Sequence, residues 1–136
     1  MKRTLWLLSV CTSAYALSIV PQEFRAAWVI VAEPHRVDCE CKTKVSPDLS
    51  ERALSLAEMP GDSCLKCYLL CICEKLNLIN PATFEFNVDE IVRTVAGMDE
   101  FIASNCVNAS STKDPCEKVY QAILCSIYSL LVPYTW

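Results

Sequence analysis

The cysteines constrain this chain more than any other feature. Nine of its ten cysteines lie between Cys39 and Cys125: Cys39, Cys41, Cys64, Cys67, Cys71, Cys73, Cys106, Cys116 and Cys125. In a small exported domain such a density reads as a disulfide framework. The start of the chain points to export. Lys2 and Arg3 precede the apolar run Leu5-Trp6-Leu7-Leu8 and a small-residue site at Ala14-Tyr15-Ala16, the order of a secretory signal peptide. The run is too short to cross a bilayer. We therefore expect a signal over residues 1–16, with cleavage after Ala16 or as late as Ser18, and one domain over 17–136. Cys11 leaves with the signal. The remaining chain carries 10 Lys and Arg against 16 Asp and Glu, which leaves no basic patch for nucleic acid or anionic lipid.

Only two glycines and no alternating apolar–polar runs argue against hairpins and sheets. Helix punctuation is dense. Pro21 opens a first helix whose face carries Trp28, Val31 and Ala32 until Pro34-His35 disturbs it. Ser46-Pro47-Asp48 starts a short second helix reaching about Leu56. After Pro60-Gly61, Asp62 or Ser63 caps a third with Leu65, Leu69, Ile72 and Leu76. Asn87 with Glu90 resembles a capping box for a fourth, which Gly97 ends. Met98-Phe101-Ile102 begins a fifth that reaches Cys106, and Asp114-Pro115-Cys116-Glu117 starts a sixth running to Pro133. The expected class is an all-α, six-helix domain.

At 100° per residue, Cys67 and Cys71 share one face of the third helix, whereas Cys116 and Cys125 lie on opposite sides of the sixth. A helix held on both sides belongs in the centre. Spacing alone leaves the pairing open. Bridges between distant helices would each contribute roughly 3–4 kcal/mol and would let a small domain keep an internal cavity.

Three residues separate Cys67 from Cys71, and eight separate Cys116 from Cys125. These are the spacings between the second and third and the fifth and sixth cysteines of insect odorant-binding proteins, which the chain resembles over its whole length after the signal. Leu65–Cys71 is similar to that family's third-helix segment and Cys116–Cys125 to its sixth. Cys106 fits the fourth position and Cys39 the first, with Val45-Ser46-Pro47 following at the usual distance and Lys44 standing where a glycine is common. The resemblance implies the pairs Cys39–Cys71, Cys67–Cys116 and Cys106–Cys125. Cys41, Cys64 and Cys73 lie outside the pattern, and no proline follows Cys125. A fourth bridge, Cys41–Cys64, is the expectation for two of them. Cys73 is then free, joined to a second chain, or a small buried apolar residue.

The resemblance implies a secreted carrier of odorants, pheromones or other small hydrophobic semiochemicals, delivered to an odorant receptor or other membrane protein, acting without a cofactor as a monomer or homodimer. The apolar residues available for a pocket are Trp28, Met59, Leu69, Phe84, Ile91, Val95, Met98, Phe101, Tyr120, Leu124 and Tyr128. For each, plain core packing is the competing reading. The tail Leu130–Trp136 is unusually apolar for a terminus. In the family such a segment covers the pocket, which would bring Val132, Tyr134 and Trp136 to the ligand, with Tyr134 able to donate a hydrogen bond. His35, the only histidine, is a candidate pH sensor, with the Trp136 carboxylate its rival. Asn108-Ala109-Ser110 matches a glycosylation sequon, expected in an exposed loop.

Other classes fit less well. A secreted phospholipase needs a histidine–aspartate pair and a glycine-rich calcium loop, and a Ser-His-Asp enzyme needs a placed histidine; Arg36 follows His35. Four cysteines on one helix span too many faces for a zinc tetrahedron. A saposin-like, membrane-active lipid binder would favour anionic vesicles, which the acidic balance opposes. The same carrier fold could also serve a non-olfactory fluid.

Overall fold

The computed structural model describes residues 17–134. The expected signal segment 1–16 and Trp136 lie outside the described residues. Six helices follow in order: α1 (Gln22–Thr43), α2 (Pro47–Ser55), α3 (Ser63–Lys75), α4 (Val88–Thr94), α5 (Glu100–Ala109) and α6 (Pro115–Leu130). Two short strands flank them, β1 (Ser18–Ile19) and β2 (Val132–Pro133).

Helix starts follow side-chain chemistry. The Asp62 carboxylate accepts from the Leu65 amide, Asn87 from Glu90, Asp99 from Ile102, and Asp114 from both Cys116 and Glu117. Each satisfies an amide that the helix leaves without a partner. Pro47 and Pro115 occupy first-turn positions where the missing N–H costs nothing. The hydroxyl of Ser46, by contrast, makes no cap hydrogen bond although Ser46 holds the cap position of α2. The reciprocal half of the Asn87–Glu90 box is also replaced, because the Asn87 amide donates to the Leu78 carbonyl and Glu90 binds Arg93 and Thr94.

Several boundaries differ from the sequence reading, and α4 already ends at Thr94 rather than at Gly97. Helix α1 continues through Pro34 and His35 to Thr43. Pro34 and Ile30, whose carbonyl loses its helical donor, both lie on the exposed side, where water can replace the bond. Asp99 rather than Met98 starts α5, which continues past Cys106 to Ala109. Helix α6 stops at Leu130, and the following residues pair antiparallel with β1, Ser18 opposite Pro133 and Ile19 opposite Val132. A second bridge joins Ile79 to Phe86 in the α3–α4 connection. Among the described residues, the sheet content that the scarcity of glycine argues against is thus confined to these short pairings.

Helix α3 lies between α1 and α6, burying Leu65, Tyr68, Leu69, Cys71 and Ile72. Cys39–Cys71 ties it to α1, Cys67–Cys116 ties it to α6, and Cys106–Cys125 ties α6 to α5. The bridges therefore run in series, α1–α3–α6–α5, with α3 and α6 each bonded to two partners. Lys66 adds an ion pair to Glu117 at 2.6 Å beside the middle bridge. Arg25 donates to the carbonyls of Val20 and Ser55, fixing the start of α1 against the end of α2.

The fourth bridge is not formed: Cys41 and Cys64 are exposed free thiols. Cys41 lies two residues beyond Cys39, about 200° around the helix, so while Cys39 turns inward to α3, Cys41 turns outward.

Candidate apolar ligand cavity

The helices enclose a cavity of about 130 Å³. Its wall takes Trp28, Val31 and Ala32 from α1, Leu54 from α2 and Met59 from the following loop. Leu69, Ile72 and Cys73 come from α3, with Leu76, Leu78 and Phe86 from the connection after it. Ile91, Val95 and Met98 come from α4 and the segment beyond it, and Ala103, Cys106 and Val107 from α5. Helix α6 supplies Val119, Ala122, Ile123, Ser126 and Ile127. Spacings of three and four residues set these stripes, each being the inward face of its helix.

Trp28, Met59, Leu69, Ile91, Val95 and Met98 of the sequence-derived candidates line the cavity. Phe84, Tyr120 and Leu124 do not; they pack into the neighbouring core. On α6 the aromatic stripe Tyr120, Leu124 and Tyr128 lies one residue, or 100°, round from the stripe that faces the cavity. Tyr128 is consequently 71% exposed. Phe101, two residues before Ala103 and so on the far side of α5, is 75% exposed. Phe84 braces the frame instead, since in a left-handed turn at φ 56° its carbonyl accepts from the Lys118 ammonium at 2.6 Å.

The tail corrects another expectation. Val132 and Tyr134 are exposed, do not line the cavity, and run alongside the segment at residues 17–19, the Tyr134 amide donating to Leu17 at 2.7 Å. Backbone pairing with β1 holds this segment on the outside of the domain rather than over a mouth. The sequon is placed differently too. Asn108 is exposed in the last turn of α5, not in a loop, and the hydroxyl of buried Ser110 donates to the Lys118 carbonyl at 2.6 Å. His35 sits within α1 and is not among the lining residues.

The residues missed from sequence fall into two groups. Val31 and Ala32, three and four beyond Trp28, and Ile72 and Leu76, three and seven beyond Leu69, carry a helical-periodicity signal. Leu78 and Phe86 come from an irregular connection that periodicity does not reach.

The wall is almost wholly carbon and sulfur. The Trp28 indole N–H is occupied by the Ala96 carbonyl at 2.9 Å, and the Ser126 hydroxyl donates to the Ala122 carbonyl at 2.8 Å. Burial pushes the Cys73 thiol up to about 12, so it remains protonated at neutral pH. Cys73 thus behaves as a small apolar wall residue, and its thiol is poorly placed to join a second chain. Two clamps hold the frame: the Tyr120 hydroxyl donates to the Met59 carbonyl at 2.7 Å, and Lys66 lies 4.6 Å above the Tyr120 ring.

Among the described residues no helix is long and apolar enough to cross a membrane, and no group of His, Cys, Asp and Glu could hold a metal ion. The PBP/GOBP family model matches residues 23–128. General odorant-binding protein 69a of Drosophila melanogaster is 27% identical over 99 residues, which cover 68% of this chain and 64% of that protein. The chain thus spans somewhat under two thirds of the curated relative it matches. Among solved structures, odorant binding protein 5 of Apis mellifera superposes with a TM-score of 0.57 at 28% identity, covering 73% of this chain and 85% of that one. Odorant Binding Protein 7 from Anopheles gambiae, solved with four disulfide bridges in complex with an azo compound, gives 0.52 at 19% identity, covering 80% and 87%; it speaks to the fold alone. Family model, fold and bridged helices together assign the chain to the PBP/GOBP family, the odorant-binding proteins of insects.

Proposed function

We propose that this protein is a secreted carrier that encloses a small hydrophobic semiochemical, an odorant or pheromone, and delivers it to a receptor or other membrane protein. The observation that carries the reading is the apolar cavity bounded by all six helices. An apolar ligand entering it gains roughly 25 cal/mol per Å² buried, which brings a small molecule into the micromolar range. Residues 1–16 serve as the export signal and are removed, leaving 17–136 as the working domain. Trp28, Met59, Leu69, Ile91, Val95 and Met98 are the contacts we assign to the ligand. The apolar wall favours a neutral apolar molecule, and the acidic balance argues against nucleic acid.

The test is titration of the oxidised 17–136 chain with an environment-sensitive apolar fluorophore, followed by displacement with volatile compounds. Saturable micromolar binding of the fluorophore and its competitive release support the carrier reading. Failure to bind any apolar probe refutes it.

A further inference from the structure

Deepening that reading, on which it rests, we propose that the cavity selects small ligands without hydrogen-bonding groups, taking up hydrocarbons in preference to alcohols of the same size and shape. A buried hydroxyl is tolerated where the wall returns the hydrogen bonds it had with water, and is strongly disfavoured where it does not. Here the wall returns almost nothing: its strong donors are committed, and among the described residues the Ser126 Oγ lone pairs are the only hydroxyl acceptor on it. The Trp28 indole N–H is committed to the Ala96 carbonyl, and the Ser126 proton to the Ala122 carbonyl. Cys106 is spent in its bridge to Cys125. The Cys73 thiol is a weak donor. Two hydroxyls that could have served a polar ligand are placed elsewhere: Tyr120 donates to the Met59 carbonyl, and Tyr68 is buried in the neighbouring core, outside the wall. No charged side chain of the described residues contributes to the wall.

Size narrows the class further. The volume of about 130 Å³ is close to the ~150 Å³ apolar cavity that stays dry and takes up a benzene molecule. A hydrocarbon of about one ring therefore suits the hollow, and Met59 and Met98 provide the adjustable part of the wall that a short substituent requires.

Ethylbenzene and benzyl alcohol provide the test, because they differ by a methyl and a hydroxyl at one position. Their affinities for the oxidised 17–136 chain are measured by calorimetry beside an apolar fluorophore, and the ratio is compared with that of their octanol–water partition coefficients. Octanol can hydrogen-bond the hydroxyl, so a wall that cannot must discriminate more, by about tenfold beyond octanol. Ser126→Ala leaves the ratio unchanged if the serine offers the ligand nothing. A ratio at or below the octanol value overturns the proposal, as does an alcohol affinity that falls in Ser126→Ala. So does binding of the fluorophore without measurable affinity for ethylbenzene. If neither the fluorophore nor ethylbenzene binds, the carrier reading falls as well.

Discussion

The indole nitrogen of Trp28 donates to the carbonyl oxygen of Ala96 at 2.9 Å, joining the first helix to the α4–α5 connection across 68 positions of sequence. The same connection is held at the next residue, Gly97, where a Cβ would run into the Phe24 ring and where the φ of +90° would strain any other residue. Trp28 is thus both wall and latch. Trp28→Phe keeps an aromatic wall but removes the donor from the half-buried Ala96 carbonyl. It should cost about 1 kcal/mol in denaturant unfolding and speed ligand dissociation in stopped-flow release. Unchanged stability and release would show that the bond does not latch the connection.

Lys44 ends α1 in the left-handed conformation, φ 59°, with its amide bonded to the Glu40 carbonyl. Glycine reaches this conformation without a Cβ penalty. Lys44→Gly should therefore raise unfolding stability by about 1 kcal/mol, read as a higher urea midpoint at unchanged slope.

Tyr68 is fully buried, and its hydroxyl has no hydrogen-bond partner among the described residues. Burial, with Glu40 and Glu33 adding to it, pushes its ionisation up to about 12. A phenol with a raised folded-state pKa stabilises fully below its unfolded value near 10 and loses that contribution as pH climbs towards 12. Tyr68→Phe should thus be at least as stable as the parent at pH 7 and lose less stability above pH 10. Thermal melts from pH 7 to 11 on both chains check this.

The three free cysteines should separate by reactivity. Cys41 and Cys64 are exposed, whereas the Cys73 thiol, pushed up to about 12, carries almost no thiolate at pH 8. Aromatic disulfide reagent added to the native 17–136 chain should consume two thiols rapidly and the third only on unfolding. An apolar ligand should slow that third reaction further. Three equal rates would remove Cys73 from the interior.

Much of the helical frame was legible because capping and cysteine spacing are local chemistry. Asp62, Asn87 and Asp114 mark starts with their own carboxyl or amide oxygens, and residues three or four apart on a helix share a face whatever surrounds them. The cavity was legible only in part. Periodicity finds the apolar stripes of α6 but cannot tell the one through Val119, Ile123 and Ile127 from its neighbour through Tyr120, Leu124 and Tyr128, since a 100° rotation of the helix decides it. The tail misled for a related reason. Its apolar residues signal burial, but Val132 and Pro133 find their partner in the backbone of Ser18 and Ile19, and backbone pairing leaves little trace in side-chain pattern. Pro34 misled because its ring and the lost Ile30 carbonyl bond fall on the exposed side, where water can take the bond, while packing of Trp28, Ala32 and Cys39 carries the helix past it.

A carrier of this kind requires that the bridged helices hold open a hollow that a ligand fills. Ala103 is buried, lines that hollow and makes no polar contact that a larger side chain would disturb. Calorimetric titration of one apolar ligand into the parent and into Ala103→Leu therefore decides whether the hollow is the binding site. The leucine should occupy the ligand's space, keeping the melting temperature near or above the parent's while weakening binding by about tenfold or more. Equal affinity in the two chains, with the variant folded, would mean that the ligand binds elsewhere and that the hollow is not what the protein uses to carry it.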